Sequence, residues 1–140
     1  MIEEPSVSQE AENGPLCPGD VVLLRSGWDR LYRTGPGGNG YGWDVVITKS
    51  VPGWPAPDEE MVSALHEKGV QCLGADGLSV GPADDGLPAH VAGLSRSTVF
   101  VEALTNLSAL PPRGAFFLTL FLKIEEGTGG PGRAIAVLPK

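Results

Sequence analysis

Cysteine is scarce. Only Cys17 and Cys72 occur in 140 residues, far apart and outside any Cys-x-x-Cys spacing. That argues against a disulfide framework and against a structural zinc knuckle, and both residues read as free, buried thiols. Long apolar runs are missing too: no stretch approaches the roughly 18 consecutive apolar residues that a membrane-spanning helix needs. Positive charge is in short supply, with 10 Lys and Arg against 17 Asp and Glu, a net charge of -7 and a pI near 4.7. Such a field repels phosphate backbones and anionic lipid, so neither nucleic acid nor a membrane surface is expected as a partner. No basic segment leads into an apolar one in the manner of a signal peptide, and a soluble, cytoplasmic protein is expected.

Glycine and proline are abundant, at 20 and 13 residues. Nearly a quarter of the chain therefore punctuates the backbone, and the pattern predicts short elements joined by many turns. Glu3, Glu4, Glu10 and Glu12 sit among Ser, Asn, Gly and Pro, so residues 1–17 are expected to form a disordered acidic leader ahead of one domain over 18–140. Val21 to Arg25 is a continuous β-branched and aliphatic run, read as a strand buried on both faces. Thr34 to Tyr41 is glycine-rich and reads as a flexible loop, and Asp44 to Thr48 as a short strand. Pro55-Ala56-Pro57-Asp58-Glu59-Glu60 is a helix opening, with prolines ahead of carboxylates that complement the helix dipole. That helix should run to about Lys68 and end on Gly69. Val70 to Asp76 then reads as a strand entered from a helix, the rhythm of a largely parallel α/β sheet with few short helices. Residues 77–89 form a long, turn-rich loop. Strands are expected at Thr98 to Glu102, Ala115 to Ile124 and Arg133 to Leu138.

His90 ends the long loop and Glu102 closes the strand after it, twelve positions on. An imidazole and a carboxylate brought together in this way are suitable ligands for a divalent ion such as zinc or manganese. On the residues alone the alternatives stay open: a loop histidine and a solvated strand-end glutamate, or a pair that merely hydrogen-bonds. His66 falls among Glu67 and Lys68 on a helix and reads as a solvated face residue.

Several phrases, in order, resemble the cyclase family of metal-dependent hydrolases, whose members include kynurenine formamidases and isatin hydrolases. They are Gly19-Asp20-Val21-Val22-Leu23-Leu24-Arg25-Ser26-Gly27-Trp28, Gly74-Ala75-Asp76-Gly77-Leu78-Ser79, Ala89-His90, Val101-Glu102-Ala103-Leu104-Thr105-Asn106-Leu107, Leu110-Pro111-Pro112-Arg113-Gly114, and the glycine-rich stretch from Leu122 to Ala134. The resemblance implies a mixed, largely parallel α/β fold of the cyclase type. It also implies that His90 and Glu102 are metal ligands, with zinc or manganese as cofactor and a small amide or lactam as substrate, as in tryptophan catabolism. Asp76 and Ser79 would stand behind the site and fix loop geometry, Asn106 would cap the turn after Glu102, and Arg133 would order the loop between the last strands.

Departures from the family pattern matter as well. The family draws most metal ligands and its acid/base histidine from a His-x-Gly-Thr-His-x-Asp-x-Pro-x-His type motif, and no such motif occurs here. The chain is accordingly expected to carry the C-terminal portion of the family domain, incomplete at its N-terminus. No catalytic residue is assigned within it. It is expected to be inactive alone, and to form homo-oligomers or pair with a full-length relative.

Overall fold

The computed structural model describes residues 10–139, which divide into two compact units between Ser108 and Ala109. In the first unit, β1 (Val21–Leu24), β2 (Cys72–Ala75) and β3 (Val99–Val101) form a parallel sheet in the order β1-β2-β3. Val21 pairs with Cys72 and Leu24 with Ala75, while Cys72 pairs on its other side with Val99. Parallel neighbours need crossovers, supplied here by α1 (Glu59–Glu67) and α2 (Leu87–Leu94). The central strand is the buried one. Leu73 and Ala75 of β2 pack with Val62 and Leu65 of α1, Ala89 and Ala92 of α2, and Val70 and Val80 in one apolar cluster. Burying each valine or leucine side chain there contributes about 1.5–3 kcal/mol.

Local chemistry explains where α1 starts and stops. Asp58 is the N-cap, its carboxylate accepting from the Met61 N–H at 2.9 Å, with Glu59 and Glu60 in the first turn. At the other end Gly69 has φ +86°. Its N–H donates to the His66 carbonyl and the Val70 N–H to the Leu65 carbonyl, the two bonds of a Schellman turn. A Cβ at Gly69 would also lie 2.7 Å from Pro18 Cα. Gly93 lets α2 approach β3: a Cβ there would come within 2.4 Å of the Phe100 ring.

Several expectations are corrected. β1 is not buried on both faces: Val21 is exposed and Val22, Leu23 and Leu24 are only partly buried. Asp44 to Thr48 is not a strand. Trp43–Ile47 is a π-helical turn in which the Asp44 carbonyl accepts from the Ser50 N–H and the Thr48 hydroxyl, local bonds that compete with a sheet ladder. Thr34 to Tyr41 is not an unstructured loop but contains a 3-10 helix over Gly35–Tyr41, anchored by buried Tyr41 packing edge-on against Tyr32 at 5.5 Å. The long loop ends early because Leu87–Leu94 is helical, so His90 stands on α2. Cys17 is exposed rather than buried, and both thiols are free. Of the leader expected over 1–17, residues 1–9 lie outside the described residues. Residues 10–13 form a helical turn whose Glu10 accepts from the Leu16 N–H at 2.9 Å and pairs with Lys68.

The second unit is a hairpin of β4 (Phe116–Phe121) and β5 (Gly132–Val137), antiparallel from Phe116 opposite Val137 to Phe121 opposite Gly132. Arg133 lies on β5, the strand expected to begin there, opposite Leu120. No helix among the described residues is long and apolar enough to cross a membrane.

Candidate functional site

The candidate site gathers where β2 and β3 end and α2 passes. Ser79 and Val80 follow β2, Glu102 follows β3 directly, and His90 lies in the middle of α2. The His90 Nδ1 is 2.8 Å from the Gly86 carbonyl oxygen. A carbonyl only accepts, so Nδ1 carries a hydrogen and the other nitrogen, Nε2, is the one presented to the site. The ring is held edge-on against Phe100, with centroids 5.4 Å apart at 74°.

Nε2 lies 3.4 Å from Glu102 Oε1 and 3.4 Å from Ser79 Oγ. Glu102 Oε1 is fixed by two donors, the Val80 N–H at 3.0 Å and the Ser79 hydroxyl at 3.1 Å. Ser79 has one hydrogen and it goes to Glu102. In the neutral ring, the Nε2 lone pair therefore faces a carboxylate oxygen with no hydrogen between them. A cation between them, a proton on Nε2 or a metal ion, would complete the pair. Both side chains keep partial solvent access, 30% for His90 and 36% for Glu102, so an ion can reach them.

These residues fit a divalent metal in kind but not in number. An imidazole oriented by a backbone carbonyl and a carboxylate oriented by a backbone N–H are the arrangement that metal ligands show. A working site takes about three protein ligands plus an open position, and no group of three or more His, Cys, Asp or Glu side chains converges among the described residues. His66 is elsewhere: its Nδ1 is 3.2 Å from the Thr98 hydroxyl, so it is half-buried and bonded rather than a solvated face residue. Cys72 offers no reactive thiolate, since burial pushes its pKa above the ordinary value.

Asp76 is 1% exposed and turns away from this cluster. Its carboxylate accepts from the Ser26 N–H at 3.0 Å, the Ser26 hydroxyl at 2.5 Å and the Gly27 N–H at 2.6 Å, pinning the loop after β1. The backbone carbonyl of Asp76 accepts from the Tyr41 hydroxyl at 3.2 Å. Burial, and then the charges of Asp76 and Asp29, push the Tyr41 phenol up to about 12. Of the two residues expected behind the pair, Ser79 touches both members, while Asp76 serves the β1 loop. Asn106 sits in a turn with φ +62°, and its N–H donates to Asp29 Oδ2 at 2.9 Å, with the Thr105 hydroxyl at 3.1 Å. Sequence reasoning passed over Asp29 and the Gly86 carbonyl, because nothing local marks an aspartate in the 3-10 turn Trp28–Leu31 as the partner of residues 76 and 77 positions away.

The cyclase family profile matches residues 2–82 of this chain, more than half its length. The chain belongs to the cyclase family. An isatin hydrolase of Roseibium aggregatum is 34% identical over 145 residues, covering 94% of this chain and 49% of that protein. A kynurenine formamidase of Salinibacter ruber is 39% identical over 77 residues, covering 54% of this chain and 36% of that protein. Among solved structures, an isatin hydrolase bound to the product analogue thioisatinate superposes with a TM-score of 0.76 at 30% identity, over 94% of this chain and 50% of that one. The mixed α/β fold with its parallel sheet is thus the cyclase-family fold, and the relatives are hydrolases. The chain spans about half the length of the relatives it matches.

Proposed function

We propose that this chain supplies one side of a metal-dependent hydrolase site that opens an amide or lactam C–N bond, in the manner of an arylformamidase of tryptophan catabolism. The observation that carries the reading is the convergence of His90 Nε2 and Glu102 Oε1 at 3.4 Å, each held by a backbone group on its far side. A divalent ion, when bound, would supply Lewis acidity toward a carbonyl and would lower the pKa of water. His90 and Glu102 would contribute two of its donors, and Ser79 would hold the Glu102 carboxylate in place. The remaining donors, and the acid/base group, would come from a polypeptide carrying the family's His-x-Gly-Thr-His-x-Asp motif. Alone, this chain would bind metal weakly and hydrolyse nothing. Two free thiols support a reducing, cytoplasmic setting.

The test is reconstitution followed by calorimetry. Mixing this chain with a polypeptide bearing that motif should give one-to-one zinc or manganese uptake together with hydrolysis of an N-formyl arylamine. His90→Ala or Glu102→Gln in this chain should remove both. A mixture that associates yet takes up metal identically with either variant contradicts the reading.

A second reading, pairing with a full-length relative without catalysis, is favoured by an apolar stripe on α2. Leu87, Val91 and Leu94, at helical spacing, are 70%, 56% and 52% exposed. It predicts association that Val91→Asp weakens and that metal leaves unchanged.

A further inference from the structure

The loops after β1 and after β3 enclose a second cleft, of about 390 Å³, lined by Arg25, Gly27, Arg30, Asn106 and Ser108 among others. We propose that this cleft binds the oxyanion group of a small molecule, a carboxylate or a phosphate.

Three observations converge on that class of ligand. First, both guanidinium groups are unengaged: no ion pair or side-chain hydrogen bond involves Arg25 or Arg30 among the described residues. On a chain of net charge -7, two neighbouring arginines without a carboxylate partner are left with their donors facing solvent in a concave site. Second, the one carboxylate in the lining is already committed. Asp29 Oδ2 accepts from the Thr105 hydroxyl and the Asn106 N–H, which ties one wall to the other. The lining stays net positive. Third, the walls are set before any ligand arrives. Buried Asp76 pins Ser26 and Gly27, and Gly27, at φ +79°, has the Arg30 guanidinium resting over it, 3.6 Å from where a Cβ would stand. Planar guanidinium forks on a preorganised loop match carboxylate and phosphate geometry. The cleft also lies at the carboxyl ends of parallel strands, where open α/β sheets place their ligands. Neither His90 nor Glu102 lines it, so the inference stands apart from the metal reading.

The test is an amide and guanidinium NMR titration of the full chain at low ionic strength, with inorganic phosphate in one arm and acetate in the other. Saturable shifts are expected at Gly27, Asn106, Ser108 and the Nε–H groups of Arg25 and Arg30. Arg25→Gln and Arg30→Gln should each weaken binding roughly tenfold, the loss of one charged hydrogen-bonding group. Asp29→Asn should tighten it, because a negative charge leaves the lining, and His90→Ala should leave it unchanged. The tighter of the two arms identifies the anion class. Absence of saturable shifts in both arms overturns the proposal, and so does binding that survives both arginine substitutions in folded protein.

Discussion

Asp76 follows β2 and Glu102 follows β3, at the carboxyl-terminal ends of neighbouring parallel strands, and each carboxylate accepts from backbone N–H, two for Asp76 and one for Glu102. Asp76 is 1% exposed and surrounded by the Ser26 and Gly27 amides and the Ser26 hydroxyl. Glu102 is exposed. One of its oxygens takes two donors and then faces the bare side of an imidazole, while the other has no protein donor among the described residues. The difference separates a carboxylate used to build a loop from one left with capacity for a cation. Saturation and burial mark the first, and spare acceptor capacity beside an oriented histidine marks the second.

The comparison is tested hardest by Asp76→Ala, which strands two amides and a hydroxyl in a closed site. It should destabilise the first unit by about 3 kcal/mol, read as a shift in the urea midpoint. If the loss is within experimental scatter, Asp76 is not the loop's organiser. Next comes pH. The Tyr41 phenol bonds to the Asp76 carbonyl, and its pKa is raised from 10.0 to about 12. A raised folded value means the fold favours the neutral form, so this contribution is complete below the ordinary value and is lost as pH rises through about 12. Absorbance at tyrosinate wavelengths should show the Tyr41 phenol ionising only near that pH or on unfolding. A smaller effect is expected at Asp58, which accepts a single N–H at an exposed cap. Asp58→Ala should cost about 1 kcal/mol in the same denaturation assay. Smallest of all is Glu102→Gln, which keeps an acceptor for Val80 and should change stability by no more than about 0.5 kcal/mol while removing affinity for metal. A large stability loss there would make Glu102 a second Asp76.

Much of this was legible in the residues. Strands β1 and β3 announce themselves as runs rich in β-branched residues, β2 as an apolar stretch entered from a helix, and α1 by Asp58 ahead of two glutamates and by Gly69 behind. His90 and Glu102 were paired through the family phrases and do converge. What was hidden depended on tertiary context or on weak local signals. α2 has no side-chain cap at Gly86, opens with Pro88 in its first turn and carries a glycine at position 93, so its eight residues resemble a loop. The fixing of the Nδ1 hydrogen by Gly86 needs that helix, and so was invisible too. Likewise, the direction in which Asp76 points is decided by a loop 50 positions earlier, which no periodicity encodes.

The most direct test of the claim that His90 and Glu102 converge on a cation is paramagnetic broadening by manganese added at substoichiometric amounts to the full chain. The account predicts that signals of Ser79, Val80, His90 and Glu102 broaden first, and that His90→Ala and Glu102→Gln abolish this. Broadening spread over the surface carboxylates Asp84, Asp85, Glu125 and Glu126, with His90 untouched, would contradict it.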